Sequence, residues 1–263
     1  MKSYLLWEYT SNQIRDMSGT QIFVQPIGSI EQHGPHLPLG TDSMIVSAFV
    51  ERLIEKFQET DFPAIFLPLM PYGKSNEHLN YPGTITYSLQ TLINVLMDIG
   101  RSCARAGVKK FVFLNGHGGN HEVLDMIARE LRIETGMQVF ILHPLLKIMP
   151  DAKDALSGVL SPEEEKLGIH AGRVETAVIL RLYPDLVHTE LAQCDYPANF
   201  DGCEYLDFSE KIPFGWMTQD VSKTGTIGNP LGATSEEGEK WLSGVTNSLY
   251  RAFLDIKNTS PLK

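Results

Sequence analysis

Between Ile27 and Asp42 the chain reads IGSIEQHGPHLPLGTD, which places Glu31, His33, His36 and Asp42 within sixteen residues of a protein that has 8 histidines in all. His117 follows in NGHGGN and Glu175 in HAGRVET. Carboxylate oxygen and imidazole nitrogen without thiolate suit Zn(II), Mn(II) or Fe(II) at a reactive site and not a structural zinc knot. One ion with three protein ligands would leave carboxylates over, whereas two ions sharing a bridging carboxylate would use them. Two ions about 3.5–4 Å apart can hold a hydroxide between them and polarise a carbonyl.

A lone His or Glu is most often a solvated or hydrogen-bonded group, and His121, His143 and His188 are read that way. Glu77 and His78, in SNEHLNYPGT, are open to either reading, since a loop favours function but can also be bonded to itself. Glu31, His33, Asp42 and His117 resist the bland reading, because two separate strand ends would have to carry ligand-type residues by accident. Gly116, Gly118 and Gly119 allow close backbone approach beside His117. Gly34 and Pro35 turn the chain so that His33 and His36 point to different places.

These residues need elements to position them. Short apolar runs predict strands over Gln21–Gln25, Ala64–Leu69, Lys110–Leu114 and Gln138–Leu142. Helical spacing predicts helices over Ser43–Gln58, Ser88–Ala106 and Gly119–Glu134. The alternation argues for βαβ units and a parallel sheet. Ligands of such sheets bind beyond the carboxyl ends of the strands. The GSIEQHGPH, MPYGKSNEHLNYPGT and NGHGGN segments lie just past strands one, two and three, so three polar loops converge on one edge. Later, His170–Leu182 reads as a helix, with His170 at its mouth and Glu175 a turn and a half deeper. Asp185–Val221 is rich in Pro, Gly and aromatic residues, and Ser235–Ile256 closes the chain as an amphipathic helix. We expect one domain over 1–263, whose irregular portion, about 185–234, covers the site or makes subunit contacts. Its aromatic residues Tyr196, Phe200, Tyr205, Phe208, Phe214 and Trp216 suit a pocket wall, a subunit contact or a packed core.

The bulk numbers narrow the class. The 263 residues carry a net charge of -10 with no basic cluster, which argues against nucleic acid as a partner. The 3 cysteines show no CxxC spacing and imply no disulfide framework, which fits a reducing compartment. No signal peptide or membrane-length apolar run is evident, so a cytoplasmic location is expected. No GxSxG is present and no cysteine sits in a glycine-rich motif, which weighs against a Ser or Cys nucleophile.

GSIEQHGPHLPLGTD, YGKSNEHLNYPGT, FVFLNGHGGN and HAGRVETA, with a weaker match in GTIGNPLGATSEEGEK, resemble the creatininase (creatinine amidohydrolase) family in the expected order over most of the chain. The resemblance implies a three-layer α/β/α sandwich with a central mostly parallel sheet. It implies two divalent ions, Zn(II) with Zn(II), Mn(II) or Fe(II), and commonly a homohexamer. Carried over by position, Glu31, His33, Asp42 and His117 match metal ligands, with Asp42 as the bridge. His170 matches a proton-transfer histidine, Glu175 an acidic residue of the same site, and Ser75 a serine near the substrate. His36, Glu77, His78, Gly118 and Gly119 fall with Ser75 on the substrate side. Creatininase itself carries a metal-binding Glu two residues after the NGH histidine, where this chain has Gly119; Glu175 is then expected to supply the missing ligand.

The implied reaction is hydrolysis of a C–N bond in a small cyclic amide or formamide by a metal-activated hydroxide, with His170 protonating the leaving nitrogen. The alternatives are cleavage of a C–C bond in a cyclic diketone, of the kind formed in inositol breakdown, or of a modified peptide. A metal-dependent binding or scaffold protein would need neither an open coordination position nor a proton shuttle.

Overall fold

The structure is a computed structural model that describes residues 3–17, 19–144, 151, 157–200, 202–206, 208 and 212–260. Its strands are β1 (Ile22–Ile27), β2 (Ala64–Phe66), β3 (Lys110–Asn115) and β4 (Gln138–Leu142). They form one four-stranded sheet in the order β2-β1-β3-β4, with every pairing parallel. The helices are α1 (Ser11–Met17), α2 (Thr41–Thr60), α3 (Leu89–Arg105), α4 (His121–Thr135), α5 (Pro162–Leu167), α6 (Arg173–Leu182), α7 (Thr218–Val221) and α8 (Ser235–Asn258).

Strand residues alternate between two cores, as a period of two requires. Ile22, Val24, Val112 and Leu114 face one side, where they pack with Phe49, Phe57, Val178, Leu242 and Phe253 from α2, α6 and α8. Phe23, Phe111 and Phe113 face the other, against Leu92, Leu96, Leu124 and Leu131 of α3 and α4. The chain is therefore a three-layer α/β/α sandwich. Each fully buried Phe contributes about 1.5–3 kcal/mol of transfer free energy. The first helical layer is also tied by charge: Glu239 of α8 accepts from Nη1 and Nη2 of Arg52 on α2, each at 2.8 Å, and from Nε of Arg181 on α6 at 2.6 Å.

The element boundaries differ from the sequence reading in three places that matter. Strand β1 runs on to Ile27 and contains Pro26. That is tolerated because β2 pairs only with Ile22–Val24, so no ladder partner awaits the missing N–H, while the Pro26 carbonyl still accepts from Met70 N at 3.0 Å. Helix α2 starts at Thr41, which puts Asp42 in its first turn and not in a loop. Helix α6 starts only at Arg173; His170 is instead bridged to Ile227, and Ala171 adopts φ 53°.

The stretch after α6 is irregular apart from short turns and α7, although parts of it lie outside the described residues. Phe200, Phe208, Phe214 and Trp216 pack on one another beside Val221 and Ile227, forming a small core of their own. Among the described residues, no helix is long and apolar enough to cross a membrane.

Candidate metal centre

The carboxyl end of the sheet delivers the site. The loop after β1 supplies Glu31 and His33, and Gly28 lets it pass α2: a Cβ there would lie 2.6 Å from Ser43 Oγ and 2.8 Å from Ser43 Cα. Asp42 sits at the positive N-terminal end of α2, a favourable place for a carboxylate. The loop after β3 supplies His117, the loop after β2 supplies Ser75, Glu77 and His78, and the segment leading into α6 supplies His170 and Glu175.

Three of these imidazoles share one arrangement. His33 donates from Nδ1 to the Glu31 carbonyl (3.1 Å), which leaves Nε2 facing Asp42 Oδ1 at 3.2 Å. His117 donates from Nε2 to the Lys74 carbonyl (2.8 Å), which leaves Nδ1 facing Asp42 Oδ2 at 2.8 Å. His170 donates from Nε2 to the Gln32 carbonyl (2.7 Å), which leaves Nδ1 facing Glu31 Oε1 at 3.7 Å. One nitrogen of each ring is anchored on backbone and the other is aimed inward, as metal-binding histidines require.

Asp42 offers one oxygen to each of two histidines, the position of a bridge. Glu31 Oε2 lies 3.4 Å from His117 Nε2 and is buried with no hydrogen-bond partner. Glu175 Oε2 lies 4.0 Å from His33 Nε2 and accepts from Ala171 N at 2.6 Å. Ligands about 2.1 Å from one tetrahedral ion stand ~3.4 Å apart. In the groups Glu31–Asp42–His117 and His33–His170–Glu175 one donor atom from each residue lies within 4.8 Å of the others. An orphaned buried carboxylate oxygen among oriented imidazoles fits divalent ions.

The protein alone balances the charge with protons. Burial opposes the His33 and His117 imidazolium forms. Asp42, Glu175 and Glu31 outweigh it at His33, and Glu31, Asp42 and Glu77 outweigh it at His117, so both stay protonated up to about 10. Those protons are the ones an ion displaces. Burial pushes Glu31 and Glu175 up to about 7. Burial also opposes the charge on Asp42, but His33 and His117 overcome this and hold it well below the carboxylate range. Burial, then the charge on His33, keep His170 neutral.

The other expected residues take varied places. Ser75 Oγ is 3.3 Å from His117 Nε2. His78 Nε2 is 3.4 Å from Glu31 Oε1. Glu77 Oε1 is 4.0 Å from His117 Nε2 and 3.9 Å from His78 Nε2. Gly118 is exposed at the mouth, while Gly119 is tightly hemmed: a Cβ there would meet Lys74 O at 2.2 Å and both Glu77 Oε1 and His117 Nε2 at 2.7 Å. The space beside Gly119 is thus filled by the Lys74 carbonyl, Glu77 and His117.

His36 is not joined to the carboxylates; its Nε2 bonds Thr176 Oγ1 at 2.9 Å. Burial, then His33, lower its pKa to about 4. Unfolded, an imidazole takes up its proton near pH 6.5, so the stability that neutral His36 contributes is present above that pH and lost as pH falls toward 4. The stability gap between wild type and His36→Asn should therefore narrow by up to about 1.4 kcal/mol per pH unit across that window, read from urea midpoints of metal-free protein.

Residues that the sequence reading passed over hold these groups in place. Gln32 Nε2 reaches His78 Nδ1 (2.8 Å) and the Gly225 carbonyl (3.0 Å), and Thr218 Oγ1 also meets His78 Nδ1 (2.7 Å). Asn115 and Asn120 brace the His117 turn. All four are amide or hydroxyl groups whose partners lie far away in sequence, except for the two Asn that bracket NGHGGN.

With this geometry in view, the family model Creatininase: Creatinine amidohydrolase matches residues 7–253. The chain belongs to the creatininase family. It is a metal-dependent hydrolase of that family. It is 33% identical over 239 residues to the mycofactocin precursor peptide peptidase of Mycolicibacterium smegmatis, covering 90% of this chain and 85% of that one. It is 31% identical over 274 residues to the creatinine amidohydrolase of Pseudomonas putida, covering 96% and 98%. A crystal structure of creatinine amidohydrolase superposes with a TM-score of 0.77 at 27% identity, over 99% of this chain and 100% of that one. Solved creatininases include a Zn-Zn form and a Mn form.

Proposed function

We propose that this enzyme hydrolyses the C–N bond of a small cyclic amide or formamide at a centre of two divalent ions. The observation that supports it best is the shared setting of His33, His117 and His170, each anchored on a backbone carbonyl with its free nitrogen turned to buried carboxylates. Glu31, Asp42 and His117 would hold one ion, and His33 and Glu175 the second, with Asp42 between them. When bound, the ions supply an activated water and polarise the carbonyl under attack. Zn(II) in one position, with Zn(II), Mn(II) or Fe(II) in the other, matches these donors.

The residues do the rest. The buried walls exclude bulk water, and Gly118 leaves the approach open. Ser75, with Glu77 and His78, lines the substrate side and donates to the developing oxyanion. His36, behind His33, shapes that wall. Neutral His170 takes a proton from the attacking water on Nδ1. Its imidazolium is disfavoured by burial and passes that proton to the leaving nitrogen. The proposal includes the homohexamer that the family resemblance implies, and a cytoplasmic location.

One observation favours a second reading. Relatives at 32–33% identity are named mycofactocin precursor peptide peptidases, and a peptide bond needs the same hydrolytic machinery. Cleavage of a cyclic diketone C–C bond would use the same water with a carbon leaving group. A substrate panel on protein loaded with Zn(II) or Mn(II) separates these: turnover of creatinine or N-formyl compounds supports the first reading, and turnover confined to peptides or to cyclic diketones overturns it.

The ligand count has its own test. Glu175→Ala is expected to fall from two metal equivalents to one by elemental analysis, since the second position would keep only His33 and the shared Asp42. Two equivalents in the variant would remove Glu175 from the ligand set and pass its role to Glu77.

A further inference from the structure

Behind the metal centre lies a second group of potential ligands, His121 and Asp125 of α4 and His143 just past β4. Its composition suggests another ion, but its hydrogen bonds speak for a different role. Asn115 Oδ1 accepts from His117 N (3.2 Å) and Asn120 Nδ2 (3.1 Å), while Asn115 Nδ2 donates to the His117 carbonyl (2.7 Å). A backbone N–H only donates and a carbonyl only accepts, so the orientation of the Asn115 amide is fixed. Asn115 Nδ2 also lies 3.0 Å from His143 Nδ1. That nitrogen must therefore accept, and His143 carries its proton on Nε2. His143 Nε2 in turn lies 3.0 Å from His121 Nδ1, with the rings edge to face at 69°. Nε2–H donates there, which leaves the His121 proton on its own Nε2, facing Asp125 Oδ2 at 3.9 Å. An ion at this cluster would need the lone pair of His143 Nε2, and Asn115 has placed a proton on it.

We propose that His143 is a positioning residue for the metal centre. It holds the Asn115 amide, which clamps both the N–H and the C=O of His117, and His121 with Asp125 extends that hold to the surface of α4. The inference rests on His117 being a metal ligand. Partners that orient a metal-binding histidine typically change ion affinity 10–100-fold when removed.

The test is the affinity for Zn(II), read by competition with a chelating indicator, in His143→Leu and His143→Asn. The Asn Oδ1 can stand where imidazole Nδ1 stood and accept from Asn115, whereas Leu cannot. His143→Leu is expected to bind Zn(II) about 10–100-fold more weakly. His143→Asn should stay within about threefold of wild type. Equal weakening in both, or none in either, overturns the inference. If His143→Leu does not fold cooperatively, a cycle of Asn115→Ala with His143→Asn and His143→Phe serves instead: His143→Phe should cost affinity only while Asn115 is present, and an additive cost overturns the inference. Wild type that binds no Zn(II), or His117→Ala that binds it as tightly as wild type, overturns the metal-centre reading and this inference with it. Wild-type stoichiometry above two equivalents, lost in His121→Ala, would show that the cluster holds an ion after all.

Discussion

Asp42→Ala is expected to lose both metal equivalents and to lower turnover at least ~10³-fold, equivalent to about 4 kcal/mol of barrier. Among the described carboxylates of the centre, none faces two histidines at shorter range: Oδ1 is 3.2 Å from His33 Nε2, and Oδ2 is 2.8 Å from His117 Nδ1. Ser29 Oγ donates to Oδ2 at 2.7 Å, and the first turn of α2 fixes the backbone, so the carboxylate is held before any ion arrives. Its removal leaves Glu31 and Glu175 on separate halves of the centre with nothing between them. Asp42→Asn separates charge from shape, because an amide keeps the volume and one acceptor but no anion. It too should lose the bridge. Elemental analysis after gel filtration, with circular dichroism to confirm folding, reads the result. An Asp42→Ala protein that keeps both ions would sink the bridging role.

The sequence made the sheet and its ligand loops legible because parallel strands buried on both faces are short apolar runs, and residues just past them must lie at one edge. Phe111–Leu114 and Phe23–Val24 could hardly have been anything else. The two α6-side residues were harder. The run from His170 to Leu182 has helical spacing throughout, yet His170 leaves the helix to pair with Ile227, over fifty residues away, and Ala171 takes a left-handed conformation. That pairing is decided by tertiary contact, and local spacing carries no trace of it. Local spacing starts α2 two residues late for a related reason: the Pro- and Gly-rich run before Asp42 masks a helix that begins at Thr41. The anchoring carbonyls of Glu31, Gln32 and Lys74 were beyond reach, since a backbone acceptor has no side-chain signature. Gly119 showed only half of its meaning. Its identity promised close approach, but that the Lys74 carbonyl and Glu77 fill the space depends on a loop more than forty residues earlier.

His170→Ala tests the proton-transfer step, and its value lies in separating two roles that the geometry brings close together. His170 Nδ1 is 3.7 Å from Glu31 Oε1, and its ring lies against His33, tilted at 35°, and His78, stacked at 26°, at centroid distances of 4.2 and 4.3 Å. A ligand at that place would take its ion with it when removed. A proton carrier would leave both ions bound and slow the reaction by about 10²–10⁴-fold, the usual span for a general acid or base. The second outcome is expected, because Glu31, Asp42, His117, His33 and Glu175 already provide enough donors for two ions. The cavity left between two imidazole rings is also the right shape for a free imidazole. Added imidazole should therefore restore part of the turnover of His170→Ala without changing its metal content. Full turnover without rescue would end the assignment, and loss of an ion would move His170 from proton carrier to ligand.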